Sequence, residues 1–170
     1  SDFWVVDCSY TDIGENFNSE LGFIPRTDIR KVRANLGVGP RLNILNLRQT
    51  FLFDNLTYVE NHSGRVESRN NMFGFFNIFQ NGSFLFFGYL QNYEYIDEEF
   101  EIKEDVFIPI GEHRFDMFAT MFESDKTRRI ALTSEINYGE FYNGNLFRVN
   151  ASGFLKLSRH FNLGFIYDRN

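Results

Sequence analysis

The sequence predicts an all-β protein, an antiparallel meander of long hairpins, on three observations. Aromatic residues make up 18% of the 170 residues, with 22 Phe, and flat or branched side chains pack well on a pleated surface. Only 3 Pro are present to interrupt strands. Turn signals separate strand-like segments along the chain, and helical periodicity is almost absent. The expected fold is therefore a sheet of sequential hairpins.

Turn residues set the boundaries of the expected strands. The Asn81-Gly82 pair is the strongest short hairpin signal, because both central positions of a tight turn tolerate positive φ. Further breaks fall at residues 61–64, 124–127, 142–145 and 158–160, and the acidic stretch 97–113 is expected to be a long connection. The strands expected between them cover about residues 3–12, 30–37, 41–60, 65–80, 83–97, 113–123, 128–139, 145–157 and 160–169.

Strand length and alternation favour a membrane β-barrel. Several expected strands exceed ten residues, whereas strands of soluble proteins cluster near ~5–6, and a tilted strand of ~9–11 residues crosses the hydrocarbon layer. Apolar and polar residues also alternate, as lipid outside and water inside a barrel require. Ile130, Leu132, Val149 and Phe165 are expected to face lipid, and Arg129, Glu135, Arg148 and Asn150 to face inward. A soluble sandwich with one wet face is the alternative reading of the same pattern.

Composition and motifs argue against several functions. The formal charge of -6 speaks against a basic surface for nucleic acid. The single cysteine, Cys8, cannot form an internal disulfide and is expected to be an inert thiol. No pair of the three His has the spacing of a metal site, and no nucleophile elbow or phosphate loop is present. We therefore expect no enzyme, no catalytic residue, no metal and no cofactor.

One charged segment is a candidate site. Arg26, Asp28 and Arg30 alternate with Thr27 and Ile29, so a strand here would carry all three on one face. Two cations beside one anion need a further carboxylate in a narrow lumen, because an unpaired charge away from bulk water is costly. The expected luminal ion cluster consists of Arg26, Asp28, Arg30, Asp116 and Glu135. A structural role is favoured over a ligand-binding one.

Four segments carry a resemblance to a known family. They are FNSELGFIPR at 17–26 followed by DIR at 28–30, EFEI at 99–102, IPIGEHRFD at 108–116 and GEFYNG at 139–144. In this order they resemble the motifs of a large bacterial domain-of-unknown-function family, over nearly the whole chain. His113 stands where the family often has Tyr. In that family the domain follows an N-terminal domain similar to family 9 carbohydrate-binding modules.

The resemblance implies a C-terminal outer-membrane β-barrel of a Gram-negative bacterium. It offers no agreed catalytic residues to carry over. Both chain ends fall inside strand-like sequence, so residues 1–170 are expected to form a single β-barrel segment of a longer chain, a partial outer-membrane β-barrel. The expected partners are outer-membrane lipid and an upstream carbohydrate-binding domain. The expected role is structural, transport or surface display; the alternative is a soluble β-sheet carbohydrate-binding module that uses exposed aromatics.

Overall fold

The computed structural model describes residues 3–17, 27–103, 105–158 and 161–170. This part of the chain contains eleven strands and no helix, so the all-β fold class that the sequence predicts is confirmed. The strands are β1 (Trp4–Ile13), β2 (Ile29–Val38), β3 (Leu47–Asn61), β4 (Val66–Phe79), β5 (Phe84–Ile96), β6 (Phe100–Lys103), β7 (Val106–Ile108), β8 (Gly111–Glu123), β9 (Ile130–Phe141), β10 (Gly144–Lys156) and β11 (Asn162–Arg169).

Nine of these strands form one antiparallel meander. Their order in the sheet is β1-β2-β3-β4-β5-β8-β9-β10-β11, and β6 and β7 pair separately as a small hairpin. The sheet is open, so it corresponds to a partial barrel and not to a closed one. One end of the sheet carries residues 14–17, 27–28, 62–65, 97–103, 105–110 and 142–143, and we call it the His62 end. The opposite end, the Gly82 end, carries residues 39–46, 80–83, 124–129, 157–158 and 161.

The two faces of the sheet are geometrically distinct. Side chains from five neighbouring strands, β1 to β5, line one cavity of about 600 Å³, so the sheet curls toward that face. We call this the concave face and the other the convex face. The register places Ser9, Arg33, Thr57 and Asn70 side by side on the concave face, because directly opposed residues share a face.

The hairpin at the Gly82 end differs in detail from the turn that the sequence predicts. Gly82 adopts a φ of 82°, but Asn81 is not among the residues with positive φ. The backbone N–H of Phe79 donates to Ser83 O (2.9 Å), and the N–H of Gly82 donates to Phe79 O (3.1 Å). These contacts describe a three-residue loop with a glycine in the left-handed position, and not a two-residue turn with two positive φ angles.

Two further segments depart from the predicted strands. Residues 41–46 are not part of β3, because Asn43, Leu45 and Asn46 adopt φ between 50° and 64°, which no strand tolerates. The connection between β5 and β8 contains the β6–β7 hairpin, which the sequence analysis missed. Ile108 of this hairpin is fully buried, and the ring of Phe100 contacts that of Tyr142 edge to face, so the hairpin packs against the rest of the protein and is not a simple solvated loop.

The middle strands are held together by stacked aromatic rings on the concave face. Phe51 stacks on Phe76 with a centroid separation of 4.5 Å, and Phe53 stacks on Phe86 at 6.0 Å. Such ring pairs contribute about 0.5–1.5 kcal/mol each beyond the burial of their area. Gly74 provides the space for this arrangement, since a Cβ there would lie 3.0 Å from Cζ of the Phe53 ring.

Candidate functional site

The convex face is an extensive exposed apolar surface. Sixteen exposed large apolar side chains of the nine-stranded sheet lie on it, and three lie on the concave face. The sixteen are Trp4, Val6, Tyr10, Val32, Leu36, Leu52, Phe73, Phe118, Ile130, Leu132, Ile136, Tyr138, Phe147, Leu163, Phe165 and Tyr167; the three are Val5, Phe141 and Ile166. Contiguous apolar patches of this kind on a protein surface mark a contact with a membrane or a partner.

The predicted sorting of side chains between the two faces is confirmed by the register. Ile136 opposes Val149, and Leu132 opposes Gly153, which in turn opposes Phe165, so the apolar residues expected together share the convex face. Asn150 opposes Glu135 on the concave face.

A band of tyrosines borders the convex face toward the His62 end. On four strands a convex-face Tyr is followed two residues later, on the same face and nearer the His62 end, by a charged residue. The pairs are Tyr10 with Asp12, Tyr58 with Glu60, Tyr138 with Glu140 and Tyr167 with Arg169. The hydroxyls of Tyr10 and Tyr58 donate to their acidic partners at 3.2 and 3.1 Å. The tyrosines thus separate an apolar zone from a charged rim.

The tyrosine band crosses the sheet obliquely. Tyr10, Tyr58 and Tyr93 occupy one cross-strand row, whereas Tyr89 and Tyr138 lie on a row four residues closer to the Gly82 end. Tyr167, on the edge strand β11, lies still closer to the Gly82 end. An oblique band is what tilted strands produce when aromatic side chains lie at one level, since barrel strands are inclined by about 35–45° to the axis.

A charged cluster at the His62 end ties three elements together. His62, in the turn between β3 and β4, places Nε2 2.8 Å from Asp12 Oδ1 and Nδ1 2.8 Å from Asp28 Oδ1. The contact with Asp12 is the largest influence raising the pKa of His62 above its ordinary value, and Asp28 adds to it. Arg30 lies 3.8 Å from carboxylate oxygens of both Asp12 and Glu60. Sequence reasoning missed His62 because its partners are 50 and 34 residues away.

The structure does not assemble the ion cluster that the sequence predicts around Asp28 and Arg30. Asp28 adopts a φ of 59° and precedes β2, so the strand alternation assumed for this segment does not reach it. Arg30 is in β2 but on the convex face, beside Asp12 and Glu60, and not on the inner face. Arg26 lies outside the described residues.

The two carboxylates proposed to complete that cluster lie elsewhere. Asp116, on β8, is four strands away from β2 and accepts a hydrogen bond from the Tyr89 hydroxyl at 2.6 Å. Glu135, on β9, accepts one from Asn137 at 2.8 Å. Neither can meet Arg30 in this sheet, because neighbouring strands are spaced by ~4.8 Å. The local sequence could not show how many strands separate these residues.

Chemistry-bearing groups are sparse in the described part of the chain. Within the described ranges, no group of three or more His, Cys, Asp or Glu could hold a metal ion. No helix there is long and apolar enough to cross a membrane.

Comparison with protein-family models, with curated proteins and with solved structures finds no match to the chain. Its function must therefore be argued from the two faces of the sheet.

Proposed function

We propose that this chain is a segment of an outer-membrane β-barrel of a Gram-negative bacterium, with its convex face against lipid. The observation that carries the proposal is the sorting of sixteen exposed apolar side chains onto the convex face. A membrane barrel has such an outward apolar band, flanked by aromatic residues at the level of the headgroups. Tyr favours that level because its ring is apolar and its hydroxyl is wet.

The role proposed for this barrel segment is structural, transport or surface display, without catalysis. The concave face is consistent with an aqueous lumen, because it carries polar side chains such as Ser9, Arg33, Thr57 and Glu135. The resemblance to the bacterial domain-of-unknown-function family points the same way and adds an upstream carbohydrate-binding domain as a partner. No nucleic acid is expected as a partner of a chain with a formal charge of -6.

A second candidate is a soluble β-sheet module that binds carbohydrate. The exposed aromatic rings on the convex face favour it, because flat rings can stack on sugars. Trp4, for example, is 66% exposed and Phe73 is 56% exposed. Aliphatic side chains between the rings are less suited to this task. Val6, 72% exposed, is matched by lipid and not by a glycan.

The native cysteine discriminates between the two candidates. Cys8 is exposed and lies on the convex face, directly opposite Ala34. In the folded chain in phospholipid liposomes, a membrane-impermeant maleimide should leave Cys8 unlabelled until urea is added. The matched control is Cys8→Ser combined with Ser9→Cys, which moves the thiol to the concave face and should be labelled without urea when the reagent is present on both sides of the bilayer. Equal labelling of both thiols in folded protein would refute the membrane assignment.

A further inference from the structure

The concave face carries a polar trough between β1 and β5. It is a cavity of about 600 Å³, within the size range of small-molecule sites, roughly 300–1,000 Å³. Its walls come from five consecutive strands, so the sheet backbone fixes the positions of the lining side chains. Rigid strands hold such groups more accurately than loops do.

Two cations of β2 project into this trough. Lys31 and Arg33 both line it, two residues apart on the same face of the strand. Arg33 stands between Ser9 on β1 and Thr57 on β3, and among the described residues no carboxylate lies within ion-pair distance of it. Glu94, on β5, lines the opposite wall. A local pair of cations is notable in a chain with a formal charge of -6.

The other lining groups are neutral hydrogen-bonding groups. Thr11 lies beside Lys31, and Asn70 lies beside Thr57, each directly across a strand pair. Hydroxyl and amide groups both donate and accept hydrogen bonds, so they match a solute that carries several hydroxyls. The guanidinium of Arg33 matches a phosphate or a carboxylate, which it can bind with two parallel hydrogen bonds.

We propose that the trough beneath Lys31 and Arg33 is a binding site for a small polyhydroxylated anion, a sugar phosphate or sugar acid. The anionic group binds Arg33, and the sugar hydroxyls face Thr11, Thr57 and Asn70. This assignment rests on the proposed function in that it treats the concave face as the aqueous side. It deepens that function by giving the segment a solute class, since the guanidinium of Arg33 in the trough favours hydrophilic anions over neutral sugars.

Isothermal titration calorimetry with glucose 6-phosphate tests the site. The folded chain is used in lauryldimethylamine oxide micelles, which contain no sugar, in a phosphate-free buffer at low salt. Glucose 6-phosphate should bind at least about tenfold more tightly than glucose, because a charge-assisted contact is worth that factor or more. Arg33→Gln should weaken glucose 6-phosphate binding about tenfold and leave glucose unchanged, and Arg33→Lys should restore part of the loss.

The control variant is Arg69→Gln, which removes an exposed arginine from the convex face of β4. It should leave glucose 6-phosphate binding unchanged, and circular dichroism should show all three variants equally folded. Equal affinities for glucose 6-phosphate and glucose, no measurable binding, or equal loss in Arg33→Gln and Arg69→Gln would each overturn the proposal. Cys8 labelling reads the convex face alone, so failure of the trough is distinguishable from failure of the membrane assignment.

Discussion

His62 shows how single side chains organise the charged end of the sheet. Its two ring nitrogens contact carboxylates from different parts of the chain, Asp12 at the end of β1 and Asp28 just before β2. A protonated imidazole can donate to both, whereas a neutral one can donate to only one. The turn after β3 is thereby tied to the two strands that precede it.

This arrangement predicts a pH-dependent stability. Because the pKa of His62 is raised in the folded state, its stabilising effect is fully present below the ordinary value of 6.5 and is lost as the pH rises through the folded pKa. The thermal midpoint should therefore fall as the pH rises above 6.5, and His62→Gln should flatten that fall. Asp28→Asn should lower the pKa of His62 in an NMR titration of the ring protons. An unchanged slope in His62→Gln would show that the bridge contributes nothing to folding.

Residue-scale expectations from the sequence succeed where they depend on local conformation. The positive φ of Gly82 follows from the lack of a Cβ and is predictable from its position after Asn81. The left-handed conformation of Asp28 is not, because Asp favours it only modestly and its partner His62 is 34 residues away. Pairing between distant charges is therefore the part of the candidate site that local sequence cannot supply.

At the scale of the strand, the alternation of side chains is the dependable signal. The expected strands at 83–97 and 128–139 correspond to β5 (Phe84–Ile96) and β9 (Ile130–Phe141), with bounds that agree to within two residues. The side-chain period of two fixes which residues share a face once the strand exists. Residues 41–46 are expected to be part of a strand because of their composition, but several of them adopt positive φ angles that a strand does not have.

The two faces of β9 give a direct prediction on the strand. Leu132 is on the convex face and Thr133 is on the concave face. Leu132→Arg should cost ~2–4 kcal/mol near the middle of the bilayer and less toward its edge, because a guanidinium must leave water. Thr133→Arg, the matched control, should cost less than ~1 kcal/mol, since the concave face is the aqueous side in the proposed barrel. Urea unfolding of both variants in liposomes measures the difference, and a larger loss for Thr133→Arg would reverse the assignment of the faces.

For the whole molecule, the number of strands constrains how a barrel can close. Every neighbouring pair in the sheet is antiparallel, so β1 and β11, first and ninth in order, run in the same direction. Closing these nine strands on each other would create one parallel pair. Barrels of bacterial outer membranes have an even number of antiparallel strands, and parallel pairing is slightly less stable. Both edge strands are exposed almost throughout their length.

We therefore predict that β1 and β11 do not pair with each other in the proposed barrel. Under copper-phenanthroline oxidation, Cys8 should not form a disulfide with a cysteine introduced at Leu163, Phe165 or Tyr167, three convex-face positions of β11. The control is Ala34→Cys, which lies directly opposite Cys8 on β2 and should crosslink, because cross-strand Cβ atoms are ~4.5–5.5 Å apart. A disulfide from Cys8 to any of the three β11 positions would establish closure through a parallel pair. Its absence, with a positive control, is the result expected if each edge pairs with a strand that runs in the opposite direction, as an even-stranded barrel demands.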